Sequence, residues 1–164
     1  MGEEMKKLLN ILAAAILLVG FASCSNDKSY EDDTPVPISN FSLRGENNGQ
    51  WMLTLIDGKP LEEGLYQYII FNTADMEFEI IQNLNSQIPA SLTGVYTLEY
   101  DENDGNVLAG DYDHASGPWA NDYVITSISL TSMTWTVLGD RDSYYVYEAC
   151  PEIPEDRIPE IKSF

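Results

Sequence analysis

From Gly49 onward, apolar and polar residues take turns along the chain in short runs separated by turn-forming residues. Strict alternation places successive side chains on opposite faces of an extended strand, so such a run has one buried and one wet face. Met76, Phe78 and Ile80 alternate with Glu77 and Glu79; Tyr96, Leu98 and Tyr100 with Thr97 and Glu99; Met133, Trp135 and Val137 with Thr134 and Thr136. The pattern predicts eight strands: Gln50–Ile56, Leu65–Asn72, Met76–Asn83, Gly94–Tyr100, Val107–Tyr112, Tyr123–Leu130, Met133–Leu138 and Ser143–Ala149. The second is ambiguous, because Tyr66, Tyr68 and Ile70 are apolar on one face and Ile69 and Phe71 on the other. No segment from Gly49 onward carries the 3.6-residue period of a helix.

The connections hold turn residues: Asp57-Gly58, Asn72 to Asp75, Asp104-Gly105, Thr131-Ser132 and Gly139-Asp140. Short strands at this spacing predict an all-β fold. Eight sequential antiparallel strands suit an up-and-down barrel, which leaves no edge open to aggregation; a two-sheet sandwich is the alternative. An eight-stranded barrel has room for its own side chains or for one small ligand. Alternate connections lie at one end, and the longer ones (residues 57–64, 84–93, 113–122 and 139–142) fall opposite Trp51. Functional loops tend to be the longer ones, so the mouth is expected there.

Upstream the pattern is different. Lys6 and Lys7 precede an unbroken apolar run from Ile11 to Phe21, then Ala22-Ser23-Cys24. A positive head, an apolar middle and small residues before a cleavage point form a bacterial secretory signal. The run is shorter than the roughly 20 residues of a membrane span. A cysteine directly after the small residues resembles a lipoprotein signal, which implies lipid attachment at Cys24 once residues 1–23 are removed. Met5 also offers a more usual signal opening than Met1. The expected organisation is a leader (1–23), an acidic tether (24–48), the barrel (49–150) and a tail (151–164). Within the tether, Ile38, Phe41 and Leu43 are spaced to pack against one end of the barrel. The proline-bearing tail is expected either to drape over the barrel or to stay loose.

Charge narrows the partners. The chain has 8 Lys+Arg against 27 Asp+Glu, a net charge of −19. That excludes nucleic acid, whose phosphates need a basic face, and leaves membrane attachment to the lipid anchor rather than to charge. Asp27, Glu31, Asp32 and Asp33, just after Cys24, resemble the acidic signal that sends Bacteroidetes lipoproteins to the cell-surface face of the outer membrane; an ordinary solvated linker is the alternative. With Cys24 acylated, Cys150 has no intramolecular partner; it is expected to be buried at a strand end, a reactive thiol or an intermolecular bridge being the alternative.

Gly49-Gln50-Trp51 at the head of the first strand, followed by eight strands, resembles the lipocalin superfamily. Tyr123-Val124-Ile125 and Leu130-Thr131-Ser132-Met133-Thr134-Trp135 are similar to the small lipocalin-like lipoproteins of Bacteroidetes. The resemblance covers roughly residues 49–149 and implies a barrel that binds a small molecule. It departs at the last strand: where lipocalins carry an Arg packed across the Trp, this chain has Glu148 and Ala149, with Arg141 too early.

The candidates to line a cavity are Tyr66, Tyr68, Tyr96, Tyr100, Tyr112, Trp135, Tyr145 and Tyr147, with Trp119 over the mouth. Aromatic walls with a few polar tips suit an apolar metabolite or a sugar ring; the same residues can instead simply fill the barrel. Catalysis is not expected. His114 is the single histidine, so any Ser-His-Asp or Cys-His arrangement would need it, and it stands in a loop. Asp111, Asp113 and His114 match no metal spacing. Asp101 to Gly105 lacks the frame of a calcium loop, with Tyr112 where the closing glutamate would be, and reads as an acidic hairpin turn. No cofactor, metal or phosphate loop is expected. Two functions follow: an outer-membrane, lipid-anchored protein holding a small apolar or carbohydrate ligand, or a filled barrel docking on an envelope protein partner. An inhibitor or enzyme of the same shape is a third.

Overall fold

A computed structural model of the chain describes residues 36–84, 88–113 and 116–159. Cys24, the leader, the acidic stretch after it and His114 lie outside the described residues. The strands are β1 (Gln50–Ile56), β2 (Lys59–Pro60), β3 (Gln67–Asn72), β4 (Glu77–Gln82), β5 (Ala90–Asp101), β6 (Gly105–Tyr112), β7 (Gly117–Pro118), β8 (Tyr123–Ile128), β9 (Ser132–Val137) and β10 (Asp140–Ala149).

Eight of these pair antiparallel with their neighbours in the order β1-β3-β4-β5-β6-β8-β9-β10. The ring closes because β10 returns to β1, with Trp51 opposite Ala149 and Ile56 opposite Tyr145. The fold is therefore a closed eight-stranded up-and-down barrel, not a two-sheet sandwich. The two-residue strands β2 and β7 are spurs on β1 and β6. Irregular register on β1 at Leu53/Leu55 and on β8 at Ile125/Ser127 is the device by which strands bend to close a sheet. Met76, expected inside a strand, instead sits in the β3–β4 turn with φ +57, and Asn72 braces that turn by accepting from the Ala74 amide and donating to Asp75.

The alternation sorts side chains as the pleat requires. On β4, Phe78 and Ile80 enter the core and Glu77 and Glu79 face out. The ambiguous β3 is buried on both faces. Ile69 and Phe71 point into the barrel, whereas Tyr68 and, before the strand, Tyr66 join Ile81, Cys150 and Ile153 in a separate cluster outside it. The tail covers that outer face. Its Arg157 guanidinium sits 4.6 Å from the Tyr66 ring centroid, the Tyr66 hydroxyl donates to the Arg157 carbonyl at 3.3 Å, and Cys150 is buried with its Sγ 3.1 Å from the Glu152 carbonyl. Tyr66 and Tyr68 thus lie away from the barrel interior that they were expected to line. Ile153→Ala is expected to destabilise the protein by about 2 kcal/mol, the lower end for truncating a buried aliphatic chain. It should also speed thiol labelling of Cys150, because the cover opens locally without global unfolding.

The end of the barrel that holds Trp51 is closed by the chain that precedes β1. A short 3-10 helix, Asn40–Arg44, starts at Ser39, whose hydroxyl accepts from the Phe41 amide. Leu43 is fully buried, Ile38 packs on the core, and Phe41 faces solvent. Asn106 ties the segment down twice, accepting from the Ile38 amide at 2.8 Å and donating to the Val36 carbonyl at 2.9 Å. Asn40 donates to the Thr73 carbonyl at 2.6 Å. The Trp51 indole donates to the Leu43 carbonyl at 2.7 Å. Gly45 lies flat against the same ring; a Cβ there would stand 2.6 Å from it. A peptide carbonyl and a glycine thus cover Trp51 where an arginine was missing from the sequence.

Candidate functional site

The opposite half of the barrel, under the longer loops, is walled by rings. Trp135, on β9, is their hub. Tyr147 lies 4.6 Å from it between centroids, Tyr123 5.4 Å, Trp119 5.8 Å and Phe71 6.1 Å. Trp119 and Trp135 stack at 24°. Each such pair adds about 0.5–1.5 kcal/mol beyond its buried area.

Trp119 reaches the core from the β6–β8 loop. The spur β7 holds that loop against β6, and the Trp119 amide donates to the Gly110 carbonyl at 2.8 Å. The indole lies directly on Gly110, where a Cβ would meet Cε2 at 2.1 Å. Only glycine leaves room for the ring at that point of β6. Nearer the mouth are Tyr112 at the end of β6, Tyr123 at the start of β8 and Tyr145 opposite the end of β1, all half-buried. Tyr123 meets Tyr145 edge to face at 5.6 Å, and Phe78 meets Tyr112 in the same manner at 5.6 Å. Leu61 and Leu84, from two of the long connections, also pack on this core.

A few polar groups converge on the rings. The Tyr147 hydroxyl donates to Gln67 Oε1 at 2.9 Å, and Gln67 Nε2 donates to Gln82 Oε1 at 2.8 Å. These glutamines open β3 and close β4, on the rim of the same half. The Nε1 atoms of Trp119 and Trp135 are buried and have no hydrogen-bond partner among the described residues. A buried donor without a partner costs about 1–3 kcal/mol. The unexpected feature of the site is therefore a pair of unmet donors inside an aromatic cage.

The cage is electrically neutral. Burial pushes the phenols of Tyr112 and Tyr123 up, and that of Tyr147 well above its ordinary value, so all stay protonated at physiological pH. Tyr96 also points inward, but toward the Trp51 end, where its hydroxyl meets Asn40; burial pushes it from 10.0 up to about 12. Because the folded state holds this proton more tightly, the stability involved is intact below pH 10 and is lost as pH climbs to about 12. An alkaline titration followed by phenolate absorbance and circular dichroism is expected to show the buried tyrosines ionising together, in the same pH interval in which the fold is lost.

Of the candidates from the sequence, Tyr96, Trp119, Trp135, Tyr145 and Tyr147 share the barrel core, as does Tyr112. Tyr100 stands at the end of β5 beside the β5–β6 turn and is 38% exposed. Trp119 lies within the ring stack rather than across the mouth. Sequence reasoning passed over Tyr123, whose alternation with Ile125 marks it as inward, Phe78, assigned to a buried face but not to a site, and Phe71, on the strand whose faces were ambiguous. It also passed over Gln67 and Gln82; a glutamine on the inward register of each of two adjacent strands was the available signal.

Among the described residues no group of three or more His, Cys, Asp or Glu side chains is placed to hold a metal. Asp101 makes the β5–β6 turn, its carboxylate accepting from the Asn103 and Asp104 amides at 2.7 and 3.1 Å, and the Asn103 bond, followed by that of Asp104, holds its pKa low. A second concavity lies on the outer face of β3, β4 and β5: a half-open cleft of about 390 Å³ bounded by Ile70, Glu77, Glu79, Thr93, Val95 and Asp113. All three of its carboxylates are engaged, Glu79 by Ser91 at 2.6 Å, Asp113 by Thr93 at 2.7 Å and Glu77 by Asn72 at 3.4 Å. No protein-family model, curated protein or solved structure matches the chain.

Proposed function

We propose that this protein is a non-catalytic binding protein of the bacterial envelope, a lipocalin-like lipoprotein anchored to the outer membrane through lipid on Cys24, that holds a small apolar or carbohydrate ligand in the long-loop half of its barrel. The observation that carries the binding role is the pair of buried indole N–H groups, on Trp119 and Trp135, that lack an acceptor. Native cores meet almost all of their buried polar groups, and convergent polar groups in an aromatic pocket are the usual form of a small-molecule site. The anchor rests on the Lys6 to Cys24 pattern; incorporation of labelled palmitate into the wild-type chain, and its loss in Cys24→Ala, is the expected result. Native mass spectrometry of the full chain released from membranes tests the binding role. A co-purifying small molecule supports it, and a bare polypeptide mass that added aromatic ligands leave unchanged overturns it.

The second reading, a filled barrel that docks on an envelope protein, draws on the outer cleft with Glu77, Glu79 and Asp113 around the half-exposed Val95. A stable complex with one defined envelope protein that Val95→Asp abolishes would favour it.

A further inference from the structure

The two unmet indole donors also say what kind of molecule fits. The side chains around them are rings, glutamine amides and aliphatic chains: Phe71, Phe78, Tyr123, Tyr145, Tyr147 and Gln67. None carries charge, so a buried carboxylate or phosphate would find no counter-ion, and desolvating an unpaired charge is prohibitive. The loops at the mouth add to this. Asp57, Glu62, Glu63, Asp113, Asp122 and Asp140 outnumber Lys59 and Arg141 there, and a rim of one sign lowers the local concentration of ions of that sign. Bare acceptor oxygens gain more from this interior than hydroxyl protons do. The Tyr147 proton is spent on Gln67 and a Gln67 amide proton on Gln82, while the two unmet indole groups can only donate. Trp119 and Trp135 lie with their ring planes 24° apart and Tyr123 meets Tyr145 edge-on, so the surroundings of the two donors are aromatic.

We infer that the barrel interior is selective for an uncharged, planar ring that carries oxygen acceptors, such as an aromatic carbonyl compound, which the Trp119 and Trp135 indole N–H groups would bind through those oxygens. This rests on the binding role proposed above. Among the described residues, the segment that carries Trp119 is tied to β6 by the two-residue spur and by the Gly110 bond.

The test uses three probes of similar size on the full chain in lipid nanodiscs, with empty nanodiscs as the partition control. Coumarin is neutral, flat and bears a carbonyl; coumarin-3-carboxylate adds a negative charge; naphthalene is flat and has no acceptor. Each is titrated against protein with ¹⁵N-labelled tryptophan, and the indole N–H resonances are followed. Trp51, already bonded to the Leu43 carbonyl at 2.7 Å, is the internal reference. Coumarin is expected to move the Trp119 and Trp135 signals downfield and leave Trp51 in place. Its Kd is expected to be at least about tenfold tighter than that of either other probe, one lost hydrogen bond being worth roughly that factor. Trp119→Phe and Trp135→Phe should each weaken coumarin about tenfold more than they weaken naphthalene. If coumarin-3-carboxylate or naphthalene moves the same two signals with equal or better affinity, the inferred class is wrong while the interior site stands. If no probe moves them, the interior site itself fails, and the inference with it.

Discussion

Trp135→Ala is expected to lower stability by about 3–5 kcal/mol, the range for removing a large buried aromatic chain. Most single domains have only about 5–15 kcal/mol to lose, so a protein at the low end of that range would be largely unfolded by this one change. Trp135 is 3% exposed and touches four other rings. Those rings come from β3, β10, the start of β8 and the β6–β8 loop, so the cavity left behind would be shared by elements from most of the circumference. Urea unfolding followed by far-ultraviolet circular dichroism measures the loss. Trp135→Phe is the informative partner. It keeps a ring and removes the unmet N–H, so it should cost much less than the alanine variant. A phenylalanine variant as unstable as alanine would show that indole shape, not ring content, holds the hub together.

Gly49→Ala is expected to be nearly as severe for a single added methyl group. Gly49 has φ +90, and its Cβ would approach the Phe71 carbonyl oxygen at 2.3 Å. A left-handed residue other than glycine costs about 1–2 kcal/mol, and forcing atoms into occupied space adds about 1–3 kcal/mol. The obstacle is backbone, so no rotamer change relieves it. Gly49 and Phe71 are also hydrogen-bonded, Phe71 N donating to Gly49 O at 2.9 Å, so the two strands cannot part there without breaking their ladder. Thermal unfolding of the variant checks the expectation. An unchanged melting temperature would mean that β1 and β3 approach less closely than described. This contact gives the Gly-x-Trp pattern a physical basis: the glycine lets β3 come close, and the tryptophan two residues on fills the end of the barrel.

The strands were legible because each carries its own evidence. Phe78 and Ile80 against Glu77 and Glu79 need only their neighbours to be assigned, and the strands that hold Leu98 and Trp135 divide in the same way. What could not be read was which partner covers a face. β3 has apolar residues on both sides because a barrel core buries Ile69 and Phe71 while a tail some eighty residues later buries Tyr68. That tail is rich in proline and acid, and among its described residues Ile153 is the deeply buried anchor, so nothing local announces it. Tyr66 and Tyr68 were therefore placed inside on the sole ground that tyrosines suit a cavity. Trp119 was expected over the mouth rather than in the stack for a related reason. It lies between a proline and an alanine in a loop with no period, and its place in the stack depends on the bare backbone of Gly110, nine residues earlier in sequence. The candidate site could be read as a list of rings, but not as a pair of donors without acceptors, because a hydrogen bond that is missing leaves no trace in the order of residues.

The way the pre-strand segment seals the Trp51 end also has a mechanical consequence. Among the described residues, tension applied at Val36 does not first meet a strand ladder. It meets the two Asn106 bonds, then the Asn40 bond to Thr73, then the seat of Leu43 under the Trp51 indole. These are single links loaded one after another, so under pulling they give way in sequence. The cylinder of strands, whose hydrogen bonds share load in parallel, is left standing. The floor then acts as a fuse, absorbing a tug before it reaches the chamber.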